Sequence, residues 1–156
     1  MRLTIAAVGR LKPGPEATLV ADYLKRAGAT GRGLGLGPID LIEIDERKAR
    51  DSATQSSQLL GKISSGAIVV ALDERGESLT SPKFAKLIAR ERDDGAPEMA
   101  FLIGGADGHD ASLRSAAKHR LSFGPMVWPH MLARVMLSEQ IYRAVGILAG
   151  TPYHRE

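Results

Sequence analysis

Two short apolar runs separated by a helical segment constrain the fold of this chain more than any other feature. Residues 67–72 and 99–103 are almost entirely apolar, as is typical of strands buried on both faces of a sheet. Between them lies a helical segment that Ser81 and Pro82 open as its cap and first residue. Strands that alternate with helices predict an α/β sandwich with a mostly parallel sheet.

Weaker patterns continue this alternation along the rest of the chain. Further strands are predicted over residues 3–8, 41–44 and 120–123, and further helices over residues 16–26, 52–63, 111–117 and from Pro129 to a stop at Gly150. Residues 28–38 hold five glycines without periodicity, which predicts a flexible loop. No repeat or linker divides the chain, so its 156 residues are predicted to form a single domain over residues 1–156.

The composition excludes several classes of function. The chain contains no cysteine, which rules out thiol nucleophiles, CxxC redox chemistry and cysteine-bearing zinc sites, and no metal is expected. No apolar run approaches the roughly 20 residues of a membrane span. The apolar part of the first residues is too short for a signal peptide. We therefore expect a cytoplasmic protein without a membrane partner.

Charge is distributed unevenly along the chain. The formal net charge is +3, and the whole excess falls within residues 109–156, which also hold all four histidines. Polyanion binding is therefore expected to use this last third of the sequence. The alternative is a chance surplus of surface arginine, which charge alone does not distinguish.

The last predicted helix is apolar on more than one face. Its apolar residues are Met131, Leu132, Val135, Met136, Leu137, Ile141, Val145, Ile147 and Leu148. A small domain does not easily bury such a helix with its own chain, so a two-fold interface with a second copy is expected. Among its polar residues, His130, Arg134 and Ser138 share one stripe at i, i+4 spacing. Either arginine, Arg134 or Arg143, could alternatively pair with Glu139.

Three segments have the residue types that ligand chemistry needs. Residues 101–108 carry a buried strand into a glycine-rich turn, where α/β proteins bind ligands, although a plain turn is the alternative. Residues 121–130 form a stiff loop with two prolines and Trp128, which could wall a pocket for a flat heterocycle or pack in the core. Residues 150–156 combine an aromatic ring, an imidazole and a guanidinium, which suits RNA binding, although chain ends often fray.

These segments, in this order, resemble the bacterial large-subunit ribosomal RNA pseudouridine-N3 methyltransferases, small members of the SPOUT class. The resemblance covers almost the whole chain. Its motifs are Ala7-Val-Gly-Arg-Leu-Lys12, Ala71-Leu-Asp-Glu-Arg-Gly76 with Ser81, Phe101-Leu-Ile-Gly-Gly105, Pro129-His130, Arg134, Glu139-Gln-Ile-Tyr-Arg-Ala144 and Pro152-Tyr-His-Arg155. The last block is the most specific of them.

The resemblance implies a SPOUT-type α/β fold, a C-terminal trefoil knot and a homodimer. It also implies an S-adenosylmethionine site, whose matching positions here are Leu72, Gly104, Gly105, Phe123, Gly124, Pro125, Met126, Val127 and Trp128. The family loop commonly has serine and threonine where this chain has Gly124 and Val127, which alters affinity if those hydroxyls touch the cofactor.

The implied reaction transfers a methyl group to N3 of a pseudouridine in 23S ribosomal RNA within the assembled ribosome, in the hairpin that faces the decoding centre. Its catalytic candidates are His154 as general base, Arg143 as electrostatic stabiliser and Tyr153 against the target base. The substrate-binding candidates are His130, Arg134 and Arg155. Alternatively, His130 caps its helix and Arg134 forms an interface ion pair.

Two other functions stay open at this point. One is a SPOUT methyltransferase that acts on transfer RNA, against which the short chain without an added RNA-binding domain argues. The other is a non-catalytic ribosome-binding factor that has kept the fold, against which the intact Tyr153-His154 pair argues.

Overall fold

The computed structural model describes residues 1–153 as alternating strands and helices. The strands are β1 (Arg2–Val8), β2 (Ile39–Ile44), β3 (Ile68–Glu77), β4 (Glu98–Ile103) and β5 (His119–Leu121). The helices are α1 (Pro15–Gly31), α2 (Ser52–Leu60), α3 (Ser81–Asp93), α4 (Ala111–Ala116) and α5 (His130–Leu148), with a 3₁₀ turn at Arg32–Leu34. The cap of α3 is Thr80, one residue before the predicted Ser81.

The five strands form one sheet in the order β2-β1-β4-β3-β5. Each neighbouring pair of strands runs parallel, which confirms the predicted α/β architecture with a parallel sheet. The trefoil knot implied by the resemblance stays a prediction. None of the helices within residues 1–153 is both long and apolar enough to cross a lipid bilayer.

Helices cover both faces of this sheet. Successive side chains of a strand point to opposite sides, and apolar side chains on both sides pack against helices. In β1, Ile5 faces a cluster shared with α1, α3 and α5, while its neighbour Ala6 faces a second cluster shared with α2 and α4. Both residues are completely buried. The core is therefore split into two apolar layers, and α5 belongs to the larger one.

The chain itself covers much of the apolar helix α5. This helix lies between α1 and α3 and buries Leu137, Ile141 and Val145 completely. The expectation that a single chain leaves this helix uncovered was therefore too strong, because two flanking helices cover more than one face. Leu132, near the start of the helix, is still 41% exposed.

The predicted flexible loop over residues 28–38 is wrong in its first half. Helix α1 continues through Gly28 to Gly31, and the 3₁₀ turn follows directly. A Cβ atom on Gly31 would lie 2.7 Å from the carbonyl oxygen of Leu36, a residue that is 1% exposed. Close packing of the returning chain thus requires glycine here, and it overrides the low helix propensity of that residue.

Candidate active site

A cavity of about 310 Å³ opens at the carboxyl end of the sheet. Its floor includes Ile103 and Leu121, the last residues of β4 and β5. Strand β3 passes beside it at Leu72, just after its pairing with β4 ends at Ala71 and Leu102. Parallel α/β sheets bind ligands at this edge, and the volume lies in the range of small-molecule sites.

The predicted cofactor-binding residues converge on this cavity, with one exception. The residues that line it are Leu72, Gly104, Gly105, Phe123, Gly124, Met126, Val127 and Trp128. Pro125 lies in the same loop without lining the cavity. Segments that are distant in the sequence thus meet at one place, as the sheet topology requires.

The glycines at the end of β4 lie in a tightly packed turn. A Cβ atom on Gly104 would lie 2.9 Å from the backbone of Gly108, and one on Gly105 would lie 2.8 Å from Oε1 of Gln55. Both glycines therefore allow close approach within the chain itself. Gly108 donates its N–H to the carbonyl oxygen of Gly105 at 3.0 Å and closes a tight turn beside the cavity.

The loop of residues 123–128 forms an exposed apolar rim. Gly124 has a φ of 101°, which glycine adopts without strain, and the hydroxyl of Ser122 accepts its N–H at 3.1 Å. Met126, Val127 and Trp128 are 69%, 84% and 40% exposed, so Trp128 does not pack in the core. An exposed apolar patch beside a cavity marks a surface that a ligand or a partner covers.

Sequence reasoning missed His109 and the charged residues of the cavity. His109 is 4% exposed and donates from Nε2 to the carbonyl oxygen of Leu102 at 3.0 Å. Its buried Nδ1 has no hydrogen-bond partner within residues 1–153, and burial lowers the pKa of the ring. The charged residues that line the cavity are Asp73, Glu74, Arg75, Asp107 and Arg114. For Asp73, Glu74 and Arg75, the available signal was their position directly after the apolar run of residues 67–72.

The N-terminal end of α5 combines an accessible and an inaccessible residue. His130 lines the cavity, whereas Arg134, one turn further, is completely buried. Arg134 donates from Nη2 to the carbonyl oxygens of Val8 and Gly9 at 3.0 and 3.2 Å, and from Nη1 to Glu43 at 2.6 Å. Arg134 therefore ties α5 to the ends of β1 and β2, and the predicted RNA contact finds no support in this position.

The C-terminal end of α5 carries a cluster of arginine and tyrosine side chains. Arg143 donates from Nε to Glu139 at 2.9 Å, which is the ion pair predicted from the sequence as the alternative to a role in the site. The hydroxyl of Tyr153 donates to the same carboxylate at 3.1 Å. The rings of Tyr142 and Tyr153 lie 4.4 Å apart, and Arg26 stacks over Tyr142 at 4.3 Å.

Neither Arg143 nor Tyr153 lines the cavity. Arg143 lies thirteen positions after His130 in the helix, a distance of about 20 Å along the axis. Burial and the contact with Glu139 raise the pKa of Tyr153 to about 12, so its hydroxyl stays protonated and acts as a donor. The predicted residues His154 and Arg155 lie outside the described residues.

No three histidine or acidic side chains of residues 1–153 are placed to hold a metal ion.

Residues 1–154 match a family described as predicted SPOUT methyltransferase. A protein from Dinoroseobacter shibae named ribosomal RNA large subunit methyltransferase H is 57% identical over 155 residues, which is 99% of each chain. A protein of the same name from Paracoccus denitrificans is 56% identical over 156 residues, the full length of both.

A solved structure is also similar to this chain. The SpoU methyltransferase AviRb from Streptomyces viridochromogenes, crystallised with the cofactor AdoMet, is 14% identical, with a TM-score of 0.46. The match covers 96% of this chain and 59% of that one.

Proposed function

This chain belongs to the SPOUT methyltransferase family, and we propose that it methylates N3 of a pseudouridine in large-subunit ribosomal RNA, with S-adenosylmethionine as methyl donor. Full-length relatives named ribosomal RNA large subunit methyltransferase H support the RNA substrate. The motif block from Pro152 to Arg155 supports the pseudouridine, through the resemblance described above. The substrate is the assembled ribosome, which places the enzyme in the cytoplasm.

One observation carries this proposal: a single cavity collects the glycine turn after β4 and the loop of residues 123–128. Its walls fit the proposed donor. Ile103, Phe123 and Trp128 offer apolar surface for a flat heterocycle, while Arg114 and Asp107 offer opposite charges for an amino acid moiety. His109 also lines this cavity, and its ring is held by a hydrogen bond from Nε2 to the carbonyl oxygen of Leu102.

The donor supplies an electrophilic methyl group on a positively charged sulfur. The chain's own residues must exclude water around the target base, orient its N3 atom and remove its proton. The apolar rim of Met126, Val127 and Trp128 excludes water at the mouth of the cavity. His130 lines the same cavity at the start of α5, and we assign it a contact with the RNA.

The remaining work falls to Arg143 and Tyr153, at the other end of α5, and to His154, the next residue in the sequence after Tyr153. His154 takes the N3 proton, since an imidazole titrates near neutral pH. Arg143 stabilises the negative charge that develops on the base. Its Nε and Nη2 atoms donate to Glu139, so its Nη1 atom is the one assigned to the base. Tyr153 packs against the base and keeps its proton, because burial and Glu139 raise its pKa to about 12.

A second copy of the chain completes the site in this proposal. The cavity and the Arg143–Tyr153 group lie at opposite ends of a 19-residue helix, too far apart to act on one base within one chain. A two-fold dimer in which the C-terminal end of one copy meets the cavity of the other brings them together. The exposed apolar rim beside the cavity and the 41% exposed Leu132 offer surface for such a contact.

The test is methyl transfer to ribosomes that lack the mark, followed by mass mapping of the modified nucleotide. We expect one methyl group on one pseudouridine of the large-subunit RNA. Transfer RNA serves as the competing substrate in a parallel reaction. Methylation of transfer RNA alone would contradict the proposal, and failure to bind S-adenosylmethionine at all would favour a non-catalytic ribosome-binding factor.

A further inference from the structure

A second cleft, of about 560 Å³, lies between α3 and strand β5 at the edge of the sheet. Its lining is dominated by cationic side chains from three separate segments. We define the basic groove by these six residues: Arg75, Lys83, Lys86, Arg90, Lys118 and Arg120. We propose that the basic groove binds the phosphate backbone of the ribosomal RNA that flanks the target nucleotide. This inference rests on the proposed function.

Local geometry places these cations on one surface. Lys83, Lys86 and Arg90 follow i, i+3, i+7 spacing and share one exposed face of α3. Arg120 belongs to β5, the edge strand, and Arg75 extends from β3, with a side chain that is 73% exposed. The fold thus gathers charges that are spread over 46 positions of the sequence.

Acidic side chains neutralise this surface only in part: Arg75 pairs with Glu74, and Arg90 and Lys118 pair with Glu91, while the other three groove cations form no ion pair within the described residues. Glu77 is the only acidic residue that lines the groove within the described residues. Glu91 lies beneath it, 1% exposed, and accepts hydrogen bonds from Lys118 at 2.7 Å and His119 at 2.8 Å. Burial raises the pKa of Glu91, but these two hydrogen bonds outweigh burial and lower its pKa overall. Glu91 therefore anchors part of the groove from below.

The basic groove is continuous with the cavity of the candidate active site. Arg75 and Leu121 line both. An RNA strand that places its base at the cavity therefore finds the groove directly beside it. Phosphate contacts of this kind fix position and orientation without reading sequence.

The lining favours a nucleic acid over an acidic protein surface. Protein interfaces concentrate aromatic and apolar anchors and are depleted in lysine. This groove holds three lysines, and no tyrosine, tryptophan or phenylalanine lines it within residues 1–153. Lysine and arginine together are the usual ligands of backbone phosphates.

The test neutralises the three groove cations that form no ion pair within the described residues, as Lys83→Gln, Lys86→Gln and Arg120→Gln. A control variant removes the same charge elsewhere, as Lys25→Gln, Arg32→Gln and Lys62→Gln, all exposed. Thermal unfolding and S-adenosylmethionine binding are measured first, and both variants are expected to match the wild type.

For the groove variant, we expect the KM for ribosomes to rise about 10- to 100-fold at low salt while kcat at saturation is retained. The salt slope of ribosome binding should fall by about 2 to 3, since each lost phosphate contact removes close to one unit. The control variant should stay within about twofold of the wild type. Equal KM values and salt slopes in the two variants would overturn the proposal that the basic groove binds RNA. Weaker ribosome binding with an unchanged salt slope would indicate that the groove contacts a protein surface instead.

Direct binding to ribosomes separates this inference from the proposed function. A wild-type enzyme that binds ribosomes through the groove but transfers no methyl group refutes the proposed function alone. If the wild-type enzyme methylates ribosomes and the groove variant binds them as tightly as the control variant does, only the RNA-binding role of the basic groove is refuted.

Discussion

The two ends of helix α5 are built in contrasting ways. At the N-terminal end, Arg134 is completely buried and joins the helix to Glu43 and to the carbonyl groups of Val8 and Gly9. At the C-terminal end, Arg143 remains 27% exposed and pairs with Glu139 on its own helix. One arginine is part of the scaffold, and the other is held within reach of solvent.

This contrast indicates a division of labour along the helix. The N-terminal end is fixed beside the cavity by the hydrogen bonds of Arg134 to Glu43 and to the end of β1. The C-terminal end carries Arg143 and Tyr153, groups suited to act on an RNA base, and neither residue lines the cavity at the N-terminal end. In the proposed function, the two ends become one site when two copies meet.

The largest expected effect comes from removing the C-terminal chemistry while leaving the cavity intact. Deleting residues 153–156 should reduce methyl transfer by a factor of about 10³ or more, since both the base and the group against the target nucleotide are lost. Affinity for S-adenosylmethionine, measured by calorimetry, should stay nearly unchanged. Deleting only Glu156 is the control and should preserve activity. Loss of cofactor binding in the longer deletion would contradict the division of labour.

The next effect distinguishes the two arginines by stability. Arg134→Ala should lower the free energy of unfolding by about 3 to 5 kcal/mol, because it removes the cationic partner of Glu43 and a donor to the buried carbonyl groups of Val8 and Gly9. Arg143→Ala should lower it by less than about 1 kcal/mol, as for a partly exposed pair. Urea unfolding of both variants measures the difference. Similar losses in the two variants would contradict the structural contrast.

A smaller effect concerns cofactor binding at the N-terminal end. Trp128→Ala should weaken the affinity for S-adenosylmethionine about tenfold, since it removes an aromatic wall of the cavity. Leu19→Ala is a matched control, because Leu19 is 44% exposed and Trp128 is 40% exposed. Leu19 lies on α1, outside the cavity lining, and its variant should bind the cofactor normally. Equal affinities in the two variants would remove Trp128 from the site.

The smallest effect is a pH dependence that belongs to the cavity end alone. Burial lowers the pKa of His109 below its unfolded value of 6.5, so the unfolded chain takes up the proton first as the pH falls. The free energy of unfolding should therefore decrease from about pH 7 towards pH 5, by at most about 1.4 kcal/mol per pH unit. His109→Asn should flatten this slope. Tyr153→Phe should retain it, because the pKa of Tyr153 is about 12. A slope unchanged in His109→Asn would disprove the assignment.

The cavity was the most predictable part of the molecule. Apolar runs identify buried strands, and the ends of parallel strands meet at one edge of a sheet, so Leu72 and Gly104 could be placed together from the pattern. The same pattern did not predict why position 104 requires glycine. Its missing Cβ makes room for the backbone of Gly108, a contact that depends on the turn itself.

Burial of charge and helix packing were harder to predict. The i, i+4 stripe of His130, Arg134 and Ser138 suggests one polar surface. Arg134 is nevertheless buried, because Glu43 and the carbonyl groups of Val8 and Gly9 accept its hydrogen bonds. Those partners lie more than 90 positions away in the sequence. The contacts of α5 with α1 and α3 also join segments that are far apart in the sequence. The periodicity of a single helix does not predict such contacts.

A mixed dimer tests most directly whether one site is built from two copies. One chain lacks residues 153–156 but keeps its cavity, and the other carries Phe123→Ala and Trp128→Ala but keeps its C-terminal end. Differently tagged copies allow the mixed dimer to be purified and assayed at a cofactor concentration too low to fill the altered cavity. We expect the mixed dimer to show about half of the wild-type activity, since one of its two composite sites is intact. A mixed dimer as inactive as both parent dimers would contradict the account.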